Sequence, residues 1–166
     1  EEEQLLEQFN QRFISSFRNY TMVKLVLNTG LNSKELVNLK WDDVDLYLGE
    51  IYIKSNVMYS RRKLSISFEI IEMLEEWRER QEIEWGGSEY VFSNRKGNKL
   101  FQTHVNDMLT TYKDKALIDK HVGVNTLRHT FGTKLYKECD DLNEVKAIMG
   151  LSHKSYHIRY YKVLAK

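Results

Sequence analysis

Apolar residues recur at helical spacing along most of the chain. Leu5, Leu6, Phe9, Phe13 and Phe17 follow one another every three or four positions behind an acidic start, which predicts a helix with carboxylates at its N-terminus. Residues 20–29 read as a second helix ended by Thr29-Gly30, and Ser33 reads as the N-cap of a short helix through Leu39. The period then changes from helical to alternating. Gly49-Glu50-Ile51-Tyr52-Ile53 and Lys63-Leu64-Ser65-Ile66-Ser67 both alternate, with a polar stretch containing Arg61 and Arg62 between them. Residues 50–67 are therefore expected to form a small antiparallel sheet or hairpin.

Helical periodicity resumes over residues 69–85 through Ile70, Leu74 and Trp77. Glu89-Tyr90-Val91-Phe92 predicts a short strand, and Arg95-Lys96-Gly97-Asn98 a turn. Val105, Leu109, Tyr112 and Ala116 define a further helix capped by Thr103; Thr126 caps one carrying Leu127, Phe131 and Leu135. Leu142, Val145 and Ile148 lie on a shorter helix that stops at Gly150, and a last helix runs from Ser155 towards Leu164. The expected fold class is mainly α with a small antiparallel β-sheet, an α+β domain.

Composition narrows the function. A chain of 166 residues with 42% hydrophobic residues can bury one core and is short for two domains. It contains no proline, so few long loops are expected, and no apolar run approaches the roughly 20 residues of a membrane span. A single cysteine, Cys139, excludes an intramolecular disulfide and suits a reducing, cytoplasmic setting. The chain starts at Glu1 rather than Met, which suggests the C-terminal part of a longer protein. The net charge of +1 hides an uneven distribution: residues 1–7 hold four Glu, residues 69–84 hold seven Glu against two Arg, and elsewhere 23 basic residues face 13 acidic ones. That distribution suits a polyanion partner and equally a charge-mixed solvated surface. No Gly-rich phosphate loop, G-x-S-x-G elbow or H-E-x-x-H motif occurs. His153 and His157 have half the spacing of a metal site without a third ligand, so neither metal nor cofactor is expected.

Two segments are more specific than any of this. TGLNSKELVNLKWDDVD, residues 29–45, and VNTLRHTFGTKLY, residues 124–136, continued by EVKAIMGLSHKSYHIRYY, residues 144–161, resemble in wording and order the catalytic domain of the tyrosine recombinases, the phage integrase family. The resemblance spans the chain nearly end to end, without the family's N-terminal DNA-clamping domain. It implies a tyrosine hydroxyl attacking a DNA phosphodiester to leave a 3′-phosphotyrosyl link and a free 5′-hydroxyl. Two arginines would neutralise the transition state, a hairpin lysine would protonate the leaving oxygen, and two His-type residues would position groups and move protons.

Several of those positions are altered here. The arginine that follows T-G-L in the family is Asn32, the histidine of H-x-L-R is Asn125, and the histidine of L-G-H is Leu151; the strand alignment puts Met58 in the lysine position, with Lys54 or Lys63 as stand-ins. Arg128 is retained, and Tyr160 or Tyr161, ten or eleven residues after Gly150, is the nucleophile position. Removing one oxyanion-stabilising donor costs about 10²–10³ in rate, so the expectation is an inactive recombinase homologue. Its resemblance-derived role would be a sequence-specific DNA-binding regulator, a phage or mobile-element repressor, holding double-stranded DNA through Arg128, Arg61, Arg62, Lys63, Arg95, Lys96, Lys99, Lys154 and Arg159. The alternatives are a divergent active recombinase and a non-catalytic partner subunit of one. Further partners would be a second copy of the chain, an antirepressor or another recombinase. With five residues after Tyr161, assembly by tail exchange would be weakened in favour of a monomer or simple dimer.

Overall fold

The computed structural model describes residues 1–54, 61–151 and 161. Seven α-helices and three short strands run in the order α1 (Glu2–Leu6), α2 (Ile14–Thr29), α3 (Ser33–Asn38), β1 (Val44–Asp45), β2 (Glu50–Ile53), β3 (Arg62–Ser65), α4 (Phe68–Trp85), α5 (Gln102–Lys115), α6 (Val124–Cys139) and α7 (Leu142–Met149) among the described residues, with a 3-10 turn, Trp41–Asp43, between α3 and β1. The mainly helical architecture with one antiparallel sheet, order β1-β2-β3, is the one the periodicity predicts.

The first amphipathic segment is not one helix. It breaks after α1, and the chain turns before α2 starts at Ile14. Asn10 drives the break: its side-chain oxygen accepts from the Arg12 backbone N–H at 3.2 Å, an alternative to the helical ladder. Phe9 then stacks on Tyr112 with ring centroids 3.9 Å apart, while Phe13 is left exposed. The expected strand at 89–92 is reduced to a single bridge between Lys40 and Tyr90, because Val91 donates to the Leu39 carbonyl and that segment has no longer partner strand.

The core lies where α2 packs on α4 and α6. Leu25, Leu31, Ile51, Ile70, Leu74, Trp77 and Leu109 are fully buried there. Each such side chain contributes about 1.5–3 kcal/mol of transfer free energy. A polar hub crosses this core. Gln81 accepts from Trp41 Nε1 at 2.9 Å and donates to Ser93 Oγ at 2.9 Å, while Trp77 Nε1 donates to the Val91 carbonyl at 2.7 Å. These bonds pin α4 to the irregular segment after it.

A second, smaller cluster joins α6 to α7. Tyr136, Val145, Met149 and Tyr161 form it, and the short α7 also leans on β3. Gly150 ends α7 in the left-handed conformation at φ 62°, the C′ position that glycine satisfies without strain. The three ends that matter chemically, the start of α3, the inner face of β3 and the C-terminus of α7, meet beside α6.

Candidate active site

The site begins at the start of α3. Asn32 caps that helix: its side-chain oxygen accepts from the Glu35 backbone N–H at 2.9 Å, and its own N–H donates to Glu35 Oε2 at 2.9 Å. This capping box moves the cap one residue before Ser33. It also fixes the Glu35 carboxylate against the backbone of residue 32.

Arg62 reaches the same carboxylate from β3. Strand residues two apart share a face, so Arg62 points inward with Leu64 while Lys63 points out. Its side chain is 6% exposed, and it pairs in fork geometry with Glu35, Nη1 to Oε1 at 2.7 Å and Nη2 to Oε2 at 3.0 Å. Its Nε donates to the Ile148 carbonyl at 2.6 Å, near the C-terminus of α7. The hairpin arginine expected to hold DNA is thus inside the protein.

Arg128 closes the cluster from α6. It is buried, donating through Nη2 to the Met149 carbonyl at 2.5 Å and through Nη1 to the Gly30 carbonyl, with Glu35 Oε2 3.9 Å from Nη1. Burial lowers the pKa of its guanidinium from the ordinary arginine value, Glu35 opposes that shift, and the neighbouring Arg62 adds to it. Glu35 responds in the other sense. Burial pushes its carboxyl up, but the Arg62 hydrogen bonds and charge, the Asn32 N–H and Arg128 together hold it below the ordinary 4.5. Two guanidiniums and one carboxylate leave the cluster with one net positive charge.

Tyr161 sits on the α6 side of this cluster, its ring 1% exposed against Met149 and over Gly132. Its hydroxyl lies 3.1 Å from His129 Nδ1. Burial raises the phenol pKa above 10, and the positive charge of Arg128 offsets part of that. Sequence reasoning passed over His129, although it adjoins Arg128 and lies one turn before Gly132, the one position on α6 that lets a ring approach.

The other expected residues are dispersed. Asn125 is exposed in the first turn of α6, and Leu151 is half-buried against the Tyr161 cluster. Lys54 pairs with Asp43, and Lys63 pairs with Glu50 at 2.6 Å, so neither hairpin lysine lies in the arginine cluster. Lys99 donates to Asn38 at 3.0 Å; Arg61, Arg95 and Lys96 are exposed. Met58, Lys154, Arg159 and Tyr160, with His153 and His157, lie outside the described residues. Among the described residues no group of three His, Cys, Asp or Glu could hold a metal, and no helix is long and apolar enough to cross a membrane.

The whole chain, residues 1–166, matches the model of the phage integrase family. It is 29% identical over 136 residues to the tyrosine recombinase XerC of Proteus mirabilis, covering 81% of this chain and 44% of that protein. It is 30% identical over 153 residues to the tyrosine recombinase XerD of Staphylococcus saprophyticus subsp. saprophyticus, covering 89% and 51%. Among solved structures it superposes on XerH site-specific recombinase in its post-cleavage complex with palindromic difH substrate, with a TM-score of 0.80, 29% identity, and 99% and 48% of the two chains covered. The chain thus spans about half the length of the relatives it matches.

These matches overturn the expectation of an inactive homologue, because the similar proteins are named as recombinases. That expectation counted losses at Asn32, Asn125, Leu151 and Met58 position by position. The fold instead brings Arg62 and Arg128 to one carboxylate, Glu35, and sets Tyr161 against His129 on the same helix as Arg128; the motif comparison weighed neither Arg62 nor His129 as a site residue of this kind.

Proposed function

The chain belongs to the phage integrase family of tyrosine recombinases, and on that basis we propose that it is a divergent recombinase domain that cleaves and rejoins duplex DNA through Tyr161. The observation that carries the reading is the Tyr161 hydroxyl 3.1 Å from His129 Nδ1, within the field of the buried Arg128. A phenol is protonated near neutral pH and burial favours that form further, so attack needs a base, and among the described residues His129 stands in reach.

Tyr161 Oη attacks phosphorus as His129 takes the phenolic proton. The bond to the 5′-oxygen breaks, and that oxygen takes a proton from water to leave as the 5′-hydroxyl. The product is a 3′-phosphotyrosyl ester, which a 5′-hydroxyl of another strand reverses. Arg128 offers charge-assisted hydrogen bonds to the non-bridging oxygens. Neutral Asn32 and Asn125 replace family groups, so the first cleavage is slow. The DNA-clamping part that the family carries beside such a domain belongs in the assay, as do the exposed Arg61, Arg95 and Lys96, which fit phosphate contacts along the duplex.

The test uses full-length protein and duplexes it recovers from sheared DNA of its source, nicked so that the first cleavage is trapped. An SDS-resistant protein–DNA band is expected with the wild type and with Tyr160→Phe, and none with Tyr161→Phe. A band that survives Tyr161→Phe, or DNA that is bound but fully released by SDS in every sample, contradicts the proposal.

A further inference from the structure

The family places an arginine at position 32, and Asn32 cannot replace it, because its side chain is committed to capping α3. A second cation nevertheless stands one carboxylate away. The Glu35 oxygen that accepts the Asn32 N–H also accepts from Arg62 Nη2, and the same oxygen lies 3.9 Å from Arg128. We propose that Arg62 supplies the second phosphate-binding guanidinium of this active site, doing from β3 what the family does from position 32. The proposal rests on the reading of the site as one for phosphodiester cleavage.

Three features of the structure support it. First, Arg62 and Arg128 bind successive backbone carbonyls at the end of α7, Ile148 and Met149, so the two guanidiniums are held side by side by one turn of chain. Second, the surroundings are shaped around Arg62: a Cβ on Gly150 would stand 2.8 Å from its Nη1. Third, two buried cations share a single carboxylate. Desolvating two like charges beside one carboxylate is costly for folding alone, and the excess positive charge suits an anion such as a phosphodiester. Lys63, the neighbouring hairpin cation, is turned to the outer face and held by Glu50.

Replacing Arg62 alone would strand Glu35, so the test compares Glu35→Gln with Glu35→Gln/Arg62→Met. Full-length protein and the trapped duplex are used twice, with an ordinary phosphodiester at the cleaved position and with a neutral methylphosphonate there. Loss of Arg62 is expected to slow adduct formation about 10²–10³-fold on the phosphodiester and less than about 10-fold on the methylphosphonate, where no charge remains to neutralise. Arg62→Lys in the wild-type background retains part of the rate. Equal losses on both duplexes would show a structural role and overturn the proposal.

A second readout does not depend on cleavage. The arginine Nε–H resonances of the full chain are followed by ¹⁵N NMR as inorganic phosphate and then the duplex are added. Arg62 and Arg128 are expected to shift together, and a shift of Arg128 without Arg62 overturns the proposal. If the wild type forms no adduct on either duplex, the cleavage reading fails by itself, and the NMR titration still decides whether Arg62 meets phosphate.

Discussion

Gly132→Ala adds one methyl group where the nucleophile candidate is seated. A Cβ there would lie 2.7 Å from Met149 Sδ and 2.7 and 2.8 Å from Tyr161 Cε1 and Cζ, closer than real Cβ contacts come. The thioether end of Met149 can yield, whereas the Tyr161 ring is wedged between α6 and Met149 with its hydroxyl held at His129. Overpacking of this kind costs about 1–3 kcal/mol. Against it, alanine is the better helix former by about 1 kcal/mol in the interior of a helix such as α6. The net effect in the wild type is therefore a loss of up to about 2 kcal/mol, about 1 M in urea midpoint for a small domain. The sign should reverse once the ring is gone. In a Tyr161→Ala background the methyl has room, and Gly132→Ala is expected to stabilise by up to about 1 kcal/mol. The assay is a double-mutant cycle by urea denaturation followed by tryptophan fluorescence. Equal changes in the two backgrounds, within about 0.5 kcal/mol, would refute the packing of Tyr161 on Gly132 and with it the seat of the proposed nucleophile.

The remaining predictions concern the core hub and the charge cluster. Gln81→Leu leaves the buried Trp41 Nε1 and Ser93 without their partner and should cost about 1–3 kcal/mol, read as a fall in Tm of about 2–4 °C per kcal/mol. Because Glu35 has a depressed pKa in the folded chain, its contribution is complete above the unfolded value and is lost as pH falls through the folded one. Urea midpoints from pH 6 down to pH 2 should therefore show wild type and Glu35→Gln farthest apart at pH 6 and converging in acid, below about 4.5; a gap that widens in acid would contradict the assignment. The selective loss on charged duplex when Arg62→Met is added to Glu35→Gln, and the loss of the adduct with Tyr161→Phe but not Tyr160→Phe, complete the set.

The periodic elements were legible because each repeats one signal several times. α4, α5 and α7 announce themselves through apolar positions three and four apart, and the hairpin through alternation. Single local bonds were not legible. The Asx turn at Asn10 breaks a pattern that runs on through Phe13, and the two residues of β1 are too few to alternate. The cap at Asn32 had a readable sign in Asn32-Ser33-Lys34-Glu35, whose spacing is that of a capping box, but Ser33 competed for it. At the site, Arg128 and the tyrosine pair were visible as motif positions. Arg62 was visible only as a basic residue on a hairpin; its inward direction follows from sharing a face with Leu64, which a register assignment supplies and a charge count does not. His129 was hidden because its role comes from a residue 32 positions away in sequence.

The central claim is that Tyr161 becomes covalently joined to DNA. The direct measurement is mass spectrometry of the SDS-resistant complex after digestion with nuclease and protease, fragmenting the peptide that holds both tyrosines. A nucleotide-bearing fragment ion that places the phosphodiester on Tyr161 is the result predicted. A nucleotide on Tyr160, or complexes that yield only unmodified peptide, would contradict the account.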